Sequence, residues 1–306
     1  MRVLVTGGCG FVGSHLCTAL AARGDDVTVL DNLSTGKRSN LVAGARLVEG
    51  SVADPHALAN AMEGAEGVFH LAAAASVQLC NESWRESHVT NQTGTVTVLE
   101  AARDAGRVPV VYTSSAAIYG NVEVVPILET CLPAPTSAYG VDKLGSELHS
   151  NVGQTLHGLR TVGLRPFNIY GPGQDPHSPY SGVITVFADR IGRGAPFIVN
   201  GDGKQTRDFI YVGDAVRFFL AAMSLENTAP SVYNVATGIQ TSLLELIAAL
   251  SQVTGRKPVF SHGPARDGDI RNSCGSTVQA KSDLGISART SLLEGLHRTF
   301  EYQSNP

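Results

Sequence analysis

Charge is scarce in this sequence, and long apolar runs are missing. Charged residues make up 16% of the chain, the formal net charge is -4, and Lys and Arg form no run. Because nucleic-acid binding depends on many cationic contacts to phosphates, we expect no nucleic-acid partner. No apolar stretch is long enough to span a bilayer, and residues 1–5 lack the regions of a signal peptide. We therefore expect no membrane partner.

Paired cysteines and metal-binding patterns are also missing. The five cysteines stand singly, without CxxC spacing, at Cys9, Cys17, Cys80, Cys131 and Cys274. An odd number of scattered thiols favours reduced cysteines over a disulfide framework or a zinc site. The histidines do not form metal-ligand spacing with nearby acids. We predict a cytoplasmic protein that requires no metal.

The first half of the chain alternates short β-rich apolar runs with longer helical stretches. Predicted strands begin at Arg2, Val27, Arg46, Gly67, Val108 and Thr161. Apolar residues at three- and four-residue spacing predict helices over Ser14–Arg23, His88–Ala105 and Ala138–His157. Such alternation is typical of right-handed βαβ units and predicts a doubly wound parallel sheet, the Rossmann type of α/β fold. The short run Val232–Val235 is a further strand that could join either sheet.

The pattern changes after about Phe167, where loops rich in Gly, Pro and Asp separate shorter elements. We predict a first domain over residues 1–167 and a second, smaller α/β domain over 168–306. The boundary is not sharp, and segments of the two can interleave.

A glycine-rich turn follows the first predicted strand. Gly7, Gly10 and Gly13 have GxxGxxG spacing and lead directly into a helix. Glycine lets the backbone approach a pyrophosphate, whose charge is stabilised by N–H groups at the helix N-terminus. A turn that only permits close packing is the alternative. The next predicted strand ends in Asp31, where a carboxylate can accept both hydroxyls of an adenosine ribose and would repel a 2′-phosphate.

These features predict NAD as the cofactor. Lys37 and Arg38 follow in the same loop and could in principle neutralise the 2′-phosphate of NADP. Asp31 favours NAD over that alternative.

Three residues form a candidate catalytic group. Tyr139 and Lys143 have YxxxK spacing and lie one turn apart on one helix face. A nearby ammonium and a nicotinium charge would favour the phenolate and make the tyrosine a usable base. A packed tyrosine beside a solvated lysine is the alternative. Ser115 follows the predicted strand that ends at Tyr112, at the sheet edge where ligands bind, so its hydroxyl could bind a substrate oxygen.

Together these residues resemble the extended short-chain dehydrogenase/reductase family, in particular its nucleotide-sugar epimerases of the UDP-glucose 4-epimerase type. The resemblance covers nearly the whole chain. Its motifs are TGGCGFVGSHL from Thr6, VLDNLSTG from Val29, HLAA from His70, NQTGT from Asn91, SSAAIYG from Ser114, YGVDK from Tyr139, LRPFNIYGPGQ from Leu164, NGDGKQTRDFIYVGDA from Asn200 and RDGDIRNS from Arg266.

The resemblance implies that the first domain binds NAD and the second binds the nucleotide sugar. Besides Tyr139, Lys143, Asp31 and the three glycines, the implied cofactor residues are Phe11, Val12, Asn32, Ser34, Thr35, Gly36, Ser51, Val52, Leu71, Ala72, Ala73, Ala75, Asn91 and Phe167. The implied substrate residues are Ser76, Thr113, Ser115, Asn168, Val183, Ile198, Asn200, Arg207, Arg266 and Asp269. Arg207 and Arg266 would pair with phosphate oxygens. At Ser51 this chain departs from many relatives, which have an aspartate beside the adenine.

The two residues after Ser115 indicate the reaction. Related dehydratases have an acidic pair there and related decarboxylases a glutamate, whereas this chain has Ala116 and Ala117. Since alanine cannot act as an acid or a base, simple hydride transfer through a transient 4-keto sugar is favoured. We predict an NAD-dependent 4-epimerase, with an NAD(P)H-dependent reductase and a non-enzymatic dinucleotide sensor as alternatives.

The sugar is left open by the sequence. UDP-glucuronate, UDP-N-acetylglucosamine and UDP-glucose are all candidates, and Ser273 falls where some relatives have a bulky tyrosine. The helices predicted over His88–Ala105 and Ala138–His157 resemble those through which family members pair. We therefore expect a homodimer, although the apolar stripes of these helices could equally face the sheet.

Overall fold

The computed structural model describes residues 1–175, 182–226, 231–265 and 270–304. Its strands are β1 Arg2–Thr6, β2 Asp26–Asp31, β3 Arg46–Glu49, β4 Gly67–His70, β5 Val110–Thr113, β6 Thr161–Pro166, β7 Asn168–Tyr170, β8 Phe197–Asn200, β9 Thr206–Arg207, β10 Phe209–Tyr211, β11 Ser231–Val235, β12 Thr241–Ser242 and β13 Phe260–Gly263. Its α-helices are α1 Phe11–Ala22, α2 Pro55–Met62, α3 Val77–Glu82, α4 Trp84–His88, α5 Gly94–Asp104, α6 Ala138–His157, α7 Val183–Gly192, α8 Val212–Met223, α9 Leu243–Thr254, α10 Val278–Asp283 and α11 Leu292–Ser304.

Seven strands form the main sheet, in the order β11-β6-β5-β4-β1-β2-β3. The pairs from β6 through to β3 are parallel, and β1 lies between β2 and β4. The strand order therefore reverses next to β1, which is the feature of a doubly wound sheet that places a ligand crevice at the carboxyl ends of the strands. The predicted Rossmann fold is confirmed. The strand predicted over Val232–Val235 lies in this sheet, beside β6.

One cluster of buried hydrophobic side chains connects the main sheet to two of its helices. It joins strands β1, β2, β4 and β5 to helices α2 and α5 through Leu4, Leu30, Val52, Leu58, Ala61, Met62, Val68, Val98, Leu99, Ala102, Val108, Val110, Tyr112 and Leu159. Burial of each large aliphatic side chain stabilises the fold by about 1.5–3 kcal/mol, so this cluster fixes the strand ends that carry the site.

Helix α6 begins and ends where its sequence predicts. The side chain of Ser137 accepts a hydrogen bond from the N–H of Gly140, and Gly158 ends the helix with a positive φ of 63°. Asp54 and Ser242 cap α2 and α9 in the same way, and Gly255 ends α9 with a φ of 66°. These caps stabilise the helix ends by about 1 kcal/mol each.

Several predicted element bounds differ from the structure. The helix predicted over Ser14–Arg23 is α1, Phe11–Ala22, and the strand predicted to begin at Val27 begins at Asp26. Strand β5 begins at Val110 because Pro109 has no N–H and the N–H of Val108 bonds back to the carbonyl of Ala102. The helix predicted over His88–Ala105 begins earlier, at Trp84, and contains a π-helical segment, Val89–Thr93. Trp84 is 67% exposed and starts no apolar repeat, so periodicity did not indicate this first turn.

The chain divides into two compact units. Unit 1 comprises Met1–Tyr119, Pro133–Arg165 and Val216–Tyr233, and unit 2 comprises Gly120–Leu132, Pro166–Ala215 and Asn234–Pro306. Within unit 2, the two-stranded sheets are β10-β7, β12-β9 and β13-β8. The assignment of cofactor binding to residues 1–167 and of substrate binding to residues 168–306 stays a prediction.

Candidate active site

The glycine-rich turn after β1 is closely packed against backbone atoms. A Cβ on Gly13 would lie 2.1 Å from the carbonyl oxygen of Gly7. A Cβ on Gly7, whose φ is +72°, would lie 2.8 Å from the backbone nitrogen of Ala72. Helix α1 follows at Phe11 without a side-chain cap on Gly10. The turn therefore presents backbone N–H groups at a helix N-terminus, as pyrophosphate binding requires.

Asp31 stands at the end of β2 and is 8% exposed. One carboxylate oxygen accepts the N–H of Cys9 at 2.9 Å, and the other accepts the N–H of Leu33 at 2.8 Å. A Cβ on Gly36 would lie 3.0 Å from both of these oxygens. The carboxylate is thus held by two donors, and its remaining lone pairs can accept ribose hydroxyls. Nearby, the guanidinium of Arg38 pairs with Glu49.

The other predicted adenosine residues lie in two loops. The side chain of Asn32 accepts hydrogen bonds from the N–H and the hydroxyl of Ser34, and Thr35 is exposed beside them. Ser51 accepts the N–H of Ala53, whereas Val52 is buried in the core cluster. The structure thus leaves Ser51 partly exposed and gives Val52 a packing role.

The loop after β4 is fixed by hydrogen bonds from two buried side chains. Thr6 accepts the N–H of Ala72 through its hydroxyl at 3.2 Å. The side-chain amide of Asn91 bonds both the N–H and the carbonyl of Ala74, at 2.8 and 3.2 Å. The predicted cofactor residues of this loop are Leu71, Ala72, Ala73 and Ala75. Ser76 follows them and caps α3 by accepting the N–H of Leu79.

The structure brings Ser115, Tyr139 and Lys143 together in unit 1. All three are at most 9% exposed. The Nζ atom of Lys143 lies 5.8 Å from the centre of the Tyr139 ring and donates a 2.8 Å hydrogen bond to the carbonyl of Thr113. The hydroxyl of Ser115 lies close enough to Tyr139 to lower the pKa of the tyrosine, and it accepts the N–H of Ala117 at 3.1 Å. The hydroxyl of Thr113 is buried and has no hydrogen-bond partner among the described residues, which leaves it available to a ligand.

Burial favours the neutral forms of Tyr139 and Lys143, so it raises the pKa of the tyrosine and lowers the pKa of the lysine. Burial raises the pKa of Tyr139 to about 12; the nearby hydroxyl of Ser115 lowers it and the nearby Cys80 raises it. Burial lowers the pKa of Lys143 to about 8, and this fall is opposed by Cys80 and Asp142. An ammonium beside the ring favours the phenolate, so the charge of Lys143 controls how readily Tyr139 acts as a base.

Six predicted residues lie in the described part of unit 2. Phe167 is buried and packs on Gly275, where a Cβ would meet its ring at 2.5 Å. The guanidinium of Arg207 donates to the carbonyls of Thr206 and Ile270, at 2.8 and 2.7 Å. Asn168 begins β7, Val183 begins α7, and Ile198 and Asn200 lie on β8, with Ile198 exposed. Arg266 and Asp269 lie outside the described residues.

Residues 3–236 match the model of the NAD dependent epimerase/dehydratase family. The chain belongs to this family.

Three solved structures are similar to this chain over 99% or more of its length. The UDP-glucose 4-epimerase of Thermotoga maritima, solved with UDP-glucose, is 39% identical with a TM-score of 0.95, over 99% of each chain. The UDP-glucose 4-epimerase of Thermus thermophilus, solved with NAD, is 36% identical with a TM-score of 0.92, over 100% of this chain and 99% of that one. The UDP-N-acetylglucosamine 4-epimerase of Methanobrevibacter ruminantium, solved with UDP-N-acetylmuramic acid, is 30% identical with a TM-score of 0.94, over 99% and 98%.

NAD is the cofactor of this epimerase, and the observed residues fit it. The glycine-rich turn after β1 has no room for a Cβ at Gly13. The carboxylate of Asp31 can still accept hydrogen bonds from the two hydroxyls of a ribose. In the described residues, histidines, cysteines and carboxylates form no cluster of three or more that could hold a metal ion. No helix in the described ranges is long and apolar enough to cross a membrane. The role of each individual site residue stays a prediction.

Sequence reasoning missed a buried network beside Ser115. Glu147 binds Arg165 through two hydrogen bonds of 2.8 and 2.7 Å and accepts the hydroxyl of Ser114 at 2.5 Å. Arg165 also donates to the hydroxyl of Tyr119 at 2.9 Å. Glu147 lies one turn beyond Lys143 on the same helix face, a spacing that could have pointed to it. The network fixes the residue next to Ser115.

Proposed function

We propose that this epimerase interconverts a UDP-sugar and its 4-epimer. The observation that carries the proposal is the buried group of Ser115, Tyr139 and Lys143, followed by two residues without acid or base function, Ala116 and Ala117. Oxidation of a sugar hydroxyl needs a base for the proton on oxygen and an acceptor for the hydride on carbon, and neither Ala116 nor Ala117 can assist an elimination or a decarboxylation.

The side chains supply the proton chemistry of such a reaction. Tyr139, as phenolate, takes the proton of the 4-hydroxyl, while the Lys143 ammonium stabilises the phenolate. Ser115, whose hydroxyl lowers the pKa of Tyr139, connects the tyrosine to the substrate oxygen. NAD, when bound, accepts the hydride of carbon 4 and returns it to the opposite face of the 4-keto sugar. Tyr139 then gives its proton back to that oxygen, so there is no net oxidation.

Two other functions use the same residues. A reductase that uses NADPH would need a cation at the 2′-phosphate, but Asp31 occupies the end of β2 and Arg38 pairs with Glu49. A dinucleotide sensor would not need the buried Tyr139–Lys143 pair, whose desolvation is costly without a chemical role. Both alternatives are therefore disfavoured.

Substrate binding must rest mainly on the nucleotide diphosphate. The sugar has to present both faces to the same hydride acceptor, so strong contacts to its ring would slow the reaction. Arg207, fixed by two carbonyls, and Arg266 are the proposed phosphate ligands. The sugar is UDP-glucose, UDP-N-acetylglucosamine or UDP-glucuronate. Ser273 supports a pocket that admits a substituent larger than hydroxyl, because its side chain is small.

Product analysis tests this proposal. The purified protein is incubated with each of the three UDP-sugars, with and without added NAD, and products are separated from their 4-epimers by chromatography. Tyr139→Phe removes only the reacting hydroxyl, and Tyr302→Phe, at an exposed position of α11, is the matched control. We expect one donor to be epimerised by the wild type and the control, but at least about 1000-fold more slowly by Tyr139→Phe. No conversion of any donor by the NAD-loaded wild type would contradict the proposal.

We further propose that the protein is a cytoplasmic homodimer. The supporting observation is an exposed apolar stripe on α6, formed by Val141, Leu148, Val152 and Leu156. Exposed Trp84 lies on α4, which packs against α6. A contiguous apolar face of this kind is typical of an interface, and a two-fold pairing would bury it against itself. All five cysteines are free thiols, which is consistent with a reducing compartment.

Light scattering after size-exclusion chromatography tests the dimer. We expect twice the chain mass of 32.1 kDa for the wild type and a monomer for Leu148→Glu. Leu132→Glu introduces the same charge at another exposed leucine, outside α6, and should leave the dimer intact. A monomeric wild type, or a dimeric Leu148→Glu, would contradict pairing through this face.

A further inference from the structure

The turn that carries Ser115 is short and closely packed. We call residues 114–119 the serine turn, which follows directly after β5 in unit 1. Ser115 accepts the N–H of Ala117 through its hydroxyl at 3.1 Å and the N–H of Ile118 through its carbonyl at 3.3 Å. A Cβ on Gly140, next to the proposed base in α6, would lie 2.7 Å from the carbonyl oxygen of Ala117. The direction of the Ser115 hydroxyl therefore depends on where the backbone of this turn lies.

One buried ion pair anchors both ends of the serine turn. At its first residue, the hydroxyl of Ser114 donates a hydrogen bond to a carboxylate oxygen of Glu147 on α6. At its last residue, the hydroxyl of Tyr119 accepts a 2.9 Å hydrogen bond from Nη1 of Arg165 on β6. Glu147 and Arg165 bind each other through two hydrogen bonds of 2.8 and 2.7 Å. A displacement of either partner would therefore move both ends of the turn.

The geometry of this pair gives it a use beyond stability. The side chains of Arg165 and Glu147 are only 5% and 9% exposed, and the removal of two charges from water is costly. Packed apolar side chains often replace a buried ion pair without loss of stability. A planar guanidinium that binds a carboxylate through two hydrogen bonds, however, fixes direction as well as distance. The guanidinium also lies over the Tyr119 ring, 5.0 Å from its centre.

We propose that the Glu147–Arg165 ion pair positions Ser115 for the reaction, and this inference rests on the proposed 4-epimerase function. Both partners act through the ends of the serine turn, so they are positioning residues and not catalytic ones. A misplacement of about 1 Å near a reacting group can lower a rate about 100-fold, so loss of the anchors should lower kcat. Binding of the UDP-sugar rests mainly on the nucleotide diphosphate and should change little.

The paired substitution Glu147→Leu with Arg165→Met separates positioning from stability. It removes both buried charges together, so the urea midpoint should lie much closer to the wild type than that of Arg165→Met alone, and bound NAD should be retained. We expect kcat to fall at least about 30-fold while KM changes less than about threefold, because the turn has lost both anchors. A kcat within about threefold of the wild type would overturn the inference, since an ion pair that only stabilises the fold would be replaced without such a loss.

An exposed ion pair provides the matched control. Arg298 lies 2.6 Å from Glu294 on α11, and both side chains are about half-exposed. Glu294→Leu with Arg298→Met makes the same two substitutions outside the serine turn and should leave kcat unchanged.

Ser114→Ala releases only the first end of the serine turn. We expect it to lower kcat about 10-fold in the wild type and to have little further effect in the paired variant, where the carboxylate that holds Ser114 is already gone. An equal loss in both backgrounds would show that this hydroxyl does not act through the ion pair, and would overturn the inference.

Hydrogen exchange followed by mass spectrometry measures the serine turn without turnover. The N–H groups of Ala117 and Ile118 both bond to Ser115, so they are protected while the turn is held. A peptide that covers residues 114–119 should exchange faster in the paired variant than in the wild type, whereas α2 should be unchanged. If no donor is epimerised but this difference is seen, the proposed function fails and the positioning role stands. Unchanged exchange would overturn the inference whatever the activity.

Circular dichroism establishes that the variants are folded. Should the paired variant not fold, Ser114→Ala with Tyr119→Phe releases both ends of the serine turn and leaves the ion pair in place. The same losses of kcat and of protection are then expected, and their absence would overturn the inference.

Discussion

His70 is a buried histidine that should make the stability of this protein depend on pH. It is 2% exposed at the end of β4, with Nδ1 2.7 Å from the hydroxyl of Thr6 and Nε2 3.1 Å from the hydroxyl of Thr95. Burial, together with the charge of Lys143, lowers its pKa from 6.5 to about 3. The ring therefore stays neutral in the folded protein down to about pH 4.

The size of the effect follows from linkage. The unfolded chain protonates His70 at its ordinary pKa of 6.5, so below that pH the unfolded state binds a proton that the folded state refuses. The contribution of the neutral His70 ring to stability is therefore fully present above pH 6.5 and is lost as the pH falls towards 3. Between about pH 8 and pH 5 the loss is about 2 kcal/mol.

Urea unfolding at pH 8 and pH 5 measures the loss. The only tryptophan, Trp84, lies in the same unit as His70, so its fluorescence follows that unit. His70→Gln keeps polar groups near Thr6 and Thr95 but cannot titrate, and His56→Gln changes an exposed histidine of α2 as a control. Between pH 8 and pH 5, the free energy of unfolding should fall by about 2 kcal/mol more in the wild type and in the control than in His70→Gln. Equal losses in all three proteins would refute the reasoning.

Two further substitutions test the packing around the site. Gly13→Ala should abolish NAD retention and lower the free energy of unfolding by about 3 kcal/mol, since its Cβ would lie 2.1 Å from the carbonyl oxygen of Gly7. Gly10→Ala, whose Cβ would have its nearest contact at 3.2 Å, should lower the free energy of unfolding by less. Protein-bound NAD, measured after desalting, and the urea midpoint check both. Arg165→Met leaves Glu147 as an unpaired buried charge and should destabilise by about 3–5 kcal/mol, whereas Arg165→Met with Glu147→Leu should recover much of it in the same assay.

The parts of the fold that local patterns specify were predictable. The strand starts at Arg2, Arg46, Gly67 and Thr161 agree with the structure, because each stands at the start of a short β-rich apolar run. The glycine turn and the YxxxK pair were also visible, since their chemistry depends on spacing within one element. The start of β5 was not, because Pro109 has no N–H to donate and the strand begins two residues later than predicted, at Val110.

Residues whose hydrogen-bond partners lie on another element could not be predicted from the sequence. Glu147 meets Arg165 from 18 positions away, and His70 meets Thr6 from 64 positions away. The spacing of Glu147 from Lys143 places both residues on one helix face, but no local signal identifies Arg165 or Thr6 as the partner of such a side chain. Asp142 and His88 are separated by 54 positions, and their pairing likewise appears only once α4 and α6 are packed together.

Helix α6 shows why the face of a helix was harder to predict than its existence. An apolar stripe normally faces the core, but here the exposed face carries Leu148, Val152 and Leu156, while Tyr139 and Lys143 are buried. The stripe therefore does not face the sheet, which was one of the two possibilities that the sequence left open. A helix with this reversed pattern stabilises the fold only if its buried polar groups are paired and its apolar face is covered. The buried face meets the first need only in part: Lys143 donates to the carbonyl of Thr113 and Asp142 pairs with His88, whereas Oδ2 of Asp142 and the hydroxyl of Ser150 have no partner among the described residues. The proposed dimer would meet the second, so assembly and catalysis would depend on opposite faces of the same helix.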